Sequence, residues 1–309
     1  MVDREKICAQ YVQELIKKCQ MPRNQIAALS GLSNPYIKEL EAGRFARVRR
    51  ERLIALAVAV NLDLKGTDEL LKVFDRTPLT QEDVPTFLEV AHKRKGSAAL
   101  LPLREVVSLE LAAYSAEMRP GDQVVVNIQP TYCLSGPSPR RHIEKPDDQV
   151  HPLYDSLIEA ITNERRRVLE QNLALYRFDQ YICLDCLRHY MEAAVDLEDR
   201  LWRRQHLQNV IQCLEAQPNF NLFVLSTCPA TSFTLKLAPA EDRGGDWMFL
   251  AFWPRHKAWS PRSGLTGFIT DNPVVIQNFK EEVDLLRSYV REEYRARDRL
   301  VDLLRRLMD

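Results

Sequence analysis

Three residues that can bind a metal or exchange disulfides lie close together near the middle of the chain. Cys183, Cys186 and His189 have the spacing Cys-x-x-Cys-x-x-His. Cys-x-x-Cys is a ligand spacing for zinc and also the spacing of redox-active pairs. On a helix, residues at i, i+3 and i+6 lie on roughly one side. These three side chains can therefore converge on one ion.

A fourth ligand would have to come from elsewhere in the chain, and His206, Cys213 and Cys228 are the candidates. No second Cys-x-x-Cys and no His-x-x-x-His completes the pattern in the sequence. A redox switch remains an alternative. Simple burial remains another, because a cysteine pair on an amphipathic helix often packs in a core. We therefore predict no resident metal and no cofactor.

A second patterned stretch, residues 23–43, contains two short apolar runs at helical spacing, joined by a tight turn. Gly31 can adopt the positive φ that ends a helix. Ser33 is placed to cap the second run, and Pro35 falls in its first turn, where a missing N–H costs little. Gly43 closes the second run. Together these features predict a helix-turn-helix.

The same stretch resembles the Xre/phage-repressor class of helix-turn-helix proteins. The resemblance rests on Ile26-Ala27, the turn Gly31-Leu32-Ser33, Ile37, and Leu40-Glu41-Ala42-Gly43. It covers roughly residues 5–75, a quarter of the chain. It implies a compact all-α bundle of about five helices that binds double-stranded DNA. The alternative is an ordinary helical hairpin inside a core.

The resemblance also implies which side chains read bases. In that class they are the outward residues at the start and middle of the second helix, which here are Asn34, Pro35, Lys38 and Glu39. Asn pairs with adenine, Lys reaches guanine acceptors, and Glu accepts from cytosine N4. Pro35 departs from the class pattern because it donates no hydrogen bond and offers only apolar contact.

Phosphate contacts are implied around that helix and in the basic segment that follows it. Residues 44–52 contain five arginines and one glutamate, the densest basic cluster of the chain. Backbone N–H groups at a helix start and arginine side chains both suit phosphate oxygens. The predicted phosphate set is Arg23, Tyr36, Arg44, Arg47, Arg49 and Arg50. The alternative for the basic segment is a solvated helix start.

Composition limits the remaining possibilities. A chain of 309 residues with 45% hydrophobic residues suggests two domains with real cores. Its net charge is zero, so a DNA-binding protein of this kind must concentrate positive charge locally. No apolar signal segment or bilayer-length apolar run is visible, and seven cysteines suggest reduced thiols. We expect a cytoplasmic protein without membrane contact.

We predict three regions along the chain. Residues 1–76 form the helix-turn-helix domain, 77–97 a linker with a short helix, and 98–309 an α+β domain with an antiparallel or mixed sheet and long helices. Within the last region, helices are predicted at 101–118, 153–175 and 275–307, and residues 179–216 are predicted as one long helix or as two with a break. Strands are predicted at 123–129, 221–226, 232–238 and 247–253, and residues 267–273 are a further strand candidate that leads into a helix. The pattern Phe-x-Thr-Asp-Asn-Pro at residues 268–273 predicts a turn at the end of this candidate strand. This turn, followed by an amphipathic helix, is similar to sensor domains of some bacterial one-component regulators.

These observations favour a sequence-specific transcriptional regulator that is not an enzyme, most simply a dimeric repressor. His-Glu-x-x-His, Gly-x-Ser-x-Gly and Gly-rich phosphate-binding patterns are missing from the sequence. We expect the C-terminal domain to form a homodimer, to sense an unknown small-molecule or protein effector, or both. The helix at 275–307 is a candidate dimer seam, with packing on its own sheet as the alternative. An antitoxin-like or plasmid or phage accessory DNA-binding protein, or an enzyme with a DNA-targeting head, remains open.

Overall fold

The computed structural model describes residues 2–45, 47–96, 99–135, 151–240, 245–251 and 266–309. By internal contacts the chain divides into two units. The first comprises Met1–Ser115, His151–Ile161 and His256–Thr270, and the second comprises Ala116–Val150, Thr162–Arg255 and Asp271–Asp309. The boundaries of these units differ from those predicted after residues 76 and 97, because the later segments His151–Ile161 and His256–Thr270 belong to the first unit.

An N-terminal helical region and a C-terminal α+β part with a mixed sheet are both present, which confirms the predicted fold class. The helices of the described residues are α1 Val2–Cys19, α2 Arg23–Ser30, α3 Asn34–Glu41, α4 Arg50–Ala59, α5 Leu64–Val73, α6 Val84–Lys93, α7 Val106–Glu117, α8 Tyr154–Leu173, α9 Leu184–Glu192, α10 Leu197–Ala216, α11 Pro273–Arg287 and α12 Arg297–Met308. The strands are β1 Leu101–Leu103, β2 Asp122–Val126, β3 Phe178–Cys183, β4 Phe220–Leu225, β5 Ser232–Leu237, β6 Trp247–Ala251 and β7 Gly267–Thr270. Residues 252 and 253 of one predicted strand lie outside the described residues.

The helical region contains α1 to α6, one helix more than the resemblance implied. Its core is made by apolar residues that recur at helical spacing, including the fully buried Ile26, Ile37, Leu40, Leu53 and Leu56. α3 packs on α1 and α2, and α4 packs on α2, α5 and α6. The helix-turn-helix pair is therefore part of a larger bundle and does not stand alone.

The segment predicted as a linker is folded into this bundle. A 3-10 helix at Gln81–Asp83 leads into α6, which buries Phe87 and Val90 against α2 and α4. Pro85 lies in the first turn of α6, where proline is favoured. Pro85 therefore marks the start of a helix.

Strand β1 corrects the prediction of a helix beginning at residue 101. Leu101–Leu103 pairs antiparallel with β7 in the first unit, and the helix α7 begins only at Val106. Among the described strands, β1 pairs with β7 alone. Pro102 is tolerated there because an edge strand needs hydrogen bonds on one side only.

The second unit contains neighbouring strands in the order β6-β5-β2-β3-β4. β2, β3 and β4 run parallel, whereas β5 is antiparallel to both β2 and β6. α9, α10 and α12 share one apolar core with β3 and β4. The carboxyl ends of the parallel strands β3 and β4 therefore lie side by side.

Strand β3 corrects the prediction of a helix beginning at Asp179. All six of its residues are buried, so the strand shows no alternation of polar and apolar side chains. Asp179 accepts hydrogen bonds from Arg177 at 2.6 Å and Asn221 at 2.9 Å. Gln180 is fully buried and accepts from the Thr131 N–H at 3.1 Å. In the sequence, Asp179 and Gln180 resemble the solvated face of a helix, although both are buried and each has a partner far along the chain.

The predicted helix at 275–307 is two helices, α11 and α12. Between them, the Tyr289 carbonyl accepts from the Ser226 N–H at 2.9 Å, and the Arg291 N–H donates to the Val224 carbonyl at 2.8 Å. These bonds cover the edge of β4 that faces away from β3, at the end of the strand order of the second unit. The backbone that covers this edge cannot also continue a helix.

The apolar stripe of α12 is used within its own chain. Leu300, Val301, Leu303 and Leu304 are buried in the core shared with α9 and α10. The structure therefore supports the packed alternative for this part of the predicted dimer seam.

Candidate nucleic-acid interface and thiol cluster

The turn between α2 and α3 is determined by two residues. Gly31 has φ +70°, and its N–H donates to the Ala27 carbonyl at 2.9 Å. A Cβ on Gly31 would lie 2.6 Å from the Cβ of Lys93, so both conformation and space require glycine. Ser33 then accepts a hydrogen bond from the Tyr36 N–H at 3.3 Å and caps α3.

The far end of α3 is fixed as firmly as its start. Gly43 has φ +66°, and the Arg44 N–H donates to the Glu39 carbonyl at 3.0 Å, as in a Schellman motif. Between the two ends, Ile37 and Leu40 are fully buried. One face of this short helix is therefore anchored, and its orientation in the bundle is set.

The predicted base-reading residues share the opposite face of α3. Asn34, Pro35, Lys38 and Glu39 are all exposed. An α-helix with its side chains is about 10–12 Å across, which matches the width of the DNA major groove. The structure thus places these four residues together on a surface that can enter a groove.

Arg23, predicted to contact phosphate, is paired within the protein. Its Nη2 donates to Glu41 Oε1 at 3.0 Å, and its Nε donates to the other carboxylate oxygen. The hydrogen bond and then the charge of Glu41 raise the pKa of Arg23. The pair joins the start of α2 to the end of α3. The phosphate contact of Arg23 stays a prediction, now for a cation whose charge is compensated.

The basic segment presents three exposed arginines, Arg44, Arg47 and Arg49. Val48 between them is buried, and its carbonyl accepts from Arg76 Nη2 at 2.8 Å. Arg44, Arg47 and Arg49 form no ion pair with any carboxylate of the described residues. A buried anchor therefore holds a short chain segment that points its positive charges into solvent.

Arg50 has a different position from its neighbours. Its Nε and Nη2 donate to the two carboxylate oxygens of Asp83, each at 2.7 Å, and Nη2 also donates to the Pro78 carbonyl at 2.8 Å. The hydrogen bonds to Asp83 raise the pKa of Arg50. Its guanidinium is used to join α4 to the chain before α6, so we leave Arg50 out of the proposed phosphate set.

Arg52 was not among the predicted contacts, and the structure places it beside α3. Its Cζ lies 4.3 Å from the centroid of the Tyr36 ring, a cation–π arrangement. Both residues line a cleft of about 320 Å³ beside the α2–α3 turn, together with Ser33 and Lys93. The dense arginine cluster was the signal in the sequence. The contact between Arg52 and Tyr36 depends on how α3 and α4 pack.

Three thiols converge in the second unit. Cys183 ends β3 and caps α9, its Sγ accepting from the Cys186 N–H at 3.2 Å. Cys186 Sγ lies 3.6 Å from Cys228 Sγ, and all three Sγ atoms lie within 4.8 Å of one another. Burial raises the pKa of the Cys183 thiol. Burial, followed by hydrogen bonds with the two neighbouring thiols, raises that of Cys186.

The other predicted metal ligands lie outside this group of thiols. His189 is exposed on α9, and Cys213 is half-buried on α10. His206 is buried, with Nδ1 2.7 Å from the Tyr190 hydroxyl and Nε2 2.8 Å from the Thr131 carbonyl. Burial lowers the pKa of His206 to about 4. The third potential ligand beside Cys183 and Cys186 is therefore Cys228, whereas the sequence pattern suggested His189.

No protein-family model, no curated protein and no solved structure matches this chain. Among the helices of the described residues, none combines the length and the apolar character that crossing a bilayer requires.

Proposed function

We propose that the helical region binds double-stranded DNA through α3 and that the protein is a sequence-specific transcriptional regulator. The observation that carries this proposal is that α3 is held firmly in the bundle and is followed directly by exposed arginines that form no ion pair with the described residues. α3 is capped by Ser33, closed by Gly43 and anchored by Ile37 and Leu40. The exposed arginines 44, 47 and 49 follow directly.

The exposed arginines supply affinity in this proposal. The whole chain has no net charge, so attraction to DNA has to come from a local concentration of cations. Arg44, Arg47, Arg49 and Arg52 provide it next to α3. The start of α4 has no side-chain cap, so its first backbone N–H groups also suit a phosphate oxygen.

Side chains of α3 supply selection among sequences. Asn34 and Lys38 offer the donors that recognise adenine and guanine edges in the major groove, and Glu39 offers an acceptor for cytosine N4. Pro35 contributes apolar contact only. The resemblance of this stretch to the Xre/phage-repressor class supports the same division between reading and anchoring residues.

We further propose that the protein binds as a homodimer and acts as a repressor. One helix of this length reads few base pairs, so specificity normally comes from two half-sites. Occupation of such a site blocks access to the DNA. The C-terminal part would then change the affinity when it binds an effector.

Selection of duplexes from a random pool by the purified full chain tests this proposal. We expect one enriched motif, repeated as two half-sites whose centres are about 10 base pairs or a multiple of that apart. A single unrepeated motif would support base reading and contradict the dimer. A failure to enrich any sequence at low salt, with folded protein, would overturn the proposed function.

A further inference from the structure

The fold itself explains why three distant cysteines meet. β3 and β4 are parallel neighbours, and Cys183 at the end of β3 pairs in register with Leu225 at the end of β4. Cys228 follows three residues later, and Cys186 lies in the first turn of α9. Ligand sites commonly form at the carboxyl ends of parallel strands, since the loops there converge.

The sulfur of Cys186 lies about as far from that of Cys228 as two thiolates on one zinc ion do, and the third sulfur lies near both. Thiolates bind zinc at about 2.3 Å in a tetrahedron, which places neighbouring sulfurs about 3.8 Å apart. Cys186 Sγ and Cys228 Sγ are 3.6 Å apart, and the third Sγ lies within 4.8 Å of both. A disulfide would need two of these atoms at about 2.05 Å and would leave the third thiol unused.

Burial raises the pKa of the Cys183 thiol, but one hydrogen bond stabilises the thiolate that forms when a cation binds. The Cys186 N–H donates to Cys183 Sγ at 3.2 Å, and a backbone donor stabilises an anionic acceptor. The start of α9 adds the positive end of a helix dipole. In zinc sites such donors orient the ligands and tune their basicity.

The loop that carries Cys228 is held at its start. Ser226 donates to the Tyr289 carbonyl from both its N–H, at 2.9 Å, and its hydroxyl, at 3.1 Å. Cys228 itself is exposed, whereas Cys183 is buried and Cys186 is half-buried. Solvent can therefore reach a cation bound by the three sulfur atoms from the side of Cys228.

We propose that Cys183, Cys186 and Cys228 bind one Zn²⁺ as thiolates, with water at the fourth position. Three Zn–S bonds form, and the three thiol protons pass to solvent, so no oxidant or reductant is needed. The bound ion links the end of β3, the start of α9 and the loop after β4. This proposal is independent of DNA binding.

Metal titration of the full chain, freed of metal and kept reduced, tests the site with Co²⁺ and Zn²⁺ as the probes. Bound metal is counted by mass spectrometry after gel filtration, and Co²⁺ is followed by its thiolate charge-transfer absorption. We expect one Co²⁺ per chain, displaced by one Zn²⁺. Cys228→Ser and Cys186→Ser should weaken Zn²⁺ binding by more than about tenfold. The control Cys213→Ser should bind as the wild type does.

Three results would overturn the assignment. They are no charge-transfer absorption in the reduced wild type, full binding by Cys228→Ser, or a Cys186–Cys228 disulfide in a chain whose reduced form binds no metal. Because Cys228 is exposed, Cys228→Ser should fold as the wild type does, and it keeps the test valid if Cys186→Ser fails to fold. Thermal unfolding gives a second measure, because Zn²⁺ should raise the melting temperature of the wild type and not that of Cys228→Ser.

Discussion

Arg23 at the start of α2 and Glu41 at the end of α3 form a bidentate ion pair, in which Arg23 Nη2 and Glu41 Oε1 are 3.0 Å apart. The pair closes the helix-turn-helix across its ends. It also places a carboxylate next to a cation that the resemblance assigns to phosphate. In the proposed interface, the charge that position 23 offers to DNA is therefore set by Glu41 as well as by Arg23.

Replacing Glu41 by Gln should expose the charge of Arg23. We expect Glu41→Gln to bind every duplex more tightly and to release about one more counterion, which steepens the salt dependence by about 0.9 in slope. Fluorescence anisotropy with a labelled duplex over a range of salt measures this slope. Glu14→Gln makes the same charge change on the exposed face of α1 and serves as control. Equal slopes for Glu41→Gln and wild type would give Arg23 a structural role alone.

Removing the exposed arginines should have the opposite effect. The double variant Arg47→Ala/Arg49→Ala is expected to lose affinity for all duplexes alike and to release about two fewer counterions. The same titration over salt measures both quantities. Lys17→Ala/Lys18→Ala removes two exposed charges from α1 and should change the slope less. A slope unchanged in the arginine variant would take Arg47 and Arg49 out of the interface.

Arg50 should behave as a structural residue. Arg50→Ala leaves the carboxylate of Asp83 buried without its partner, since Asp83 is only 6% exposed. We expect the free energy of unfolding to fall by roughly 2–4 kcal/mol. Urea denaturation measures it, and Arg49→Ala, which changes an exposed neighbour, should stay within about 0.5 kcal/mol of wild type. Equal stability of the two variants would contradict the role of the Arg50–Asp83 pair.

His206 should make the second unit sensitive to acid. Its pKa is lowered from 6.5 to about 4 by burial, so between these values the unfolded chain binds more protons than the folded one. Stability therefore falls as pH drops from about 6.5 to 4, by up to about 3 kcal/mol, and the contribution is constant below that. The pH dependence of unfolding should be flatter in His206→Gln. Parallel curves for the two proteins would show that His206 does not titrate in this way.

Local signals predicted the helix-turn-helix well. Gly31, Ser33 and Gly43 act within a few residues of themselves, so their conformations follow from sequence spacing. The burial of Ile37 and Leu40 could likewise be predicted from their spacing, because a short amphipathic helix buries one face. What the sequence did not reveal there were the partners of Arg23, Arg50 and Arg52, which depend on tertiary packing.

The second unit was less predictable because its decisive contacts are long-range. β3 lacks alternation, since it is buried on both faces, and its polar residues Asp179 and Gln180 find partners far along the chain. The Cys-x-x-Cys spacing drew attention to Cys183 and Cys186, whose sulfur atoms lie near that of Cys228 in the structure. The third thiol, Cys228, is 42 residues from Cys186 and was one candidate among several. Only the parallel pairing of β3 with β4 brings it close.

The exposed face of α3, which carries Asn34 and Lys38, gives the most direct test of the proposed function. Duplexes carrying every single-base change in the selected site are titrated with wild type, Asn34→Ala and Lys38→Ala. We predict that each variant loses preference at one position per half-site, by about 1–3 kcal/mol, and keeps the other preferences. A uniform loss of affinity at all positions, or an unchanged preference in both variants, would contradict base reading by α3.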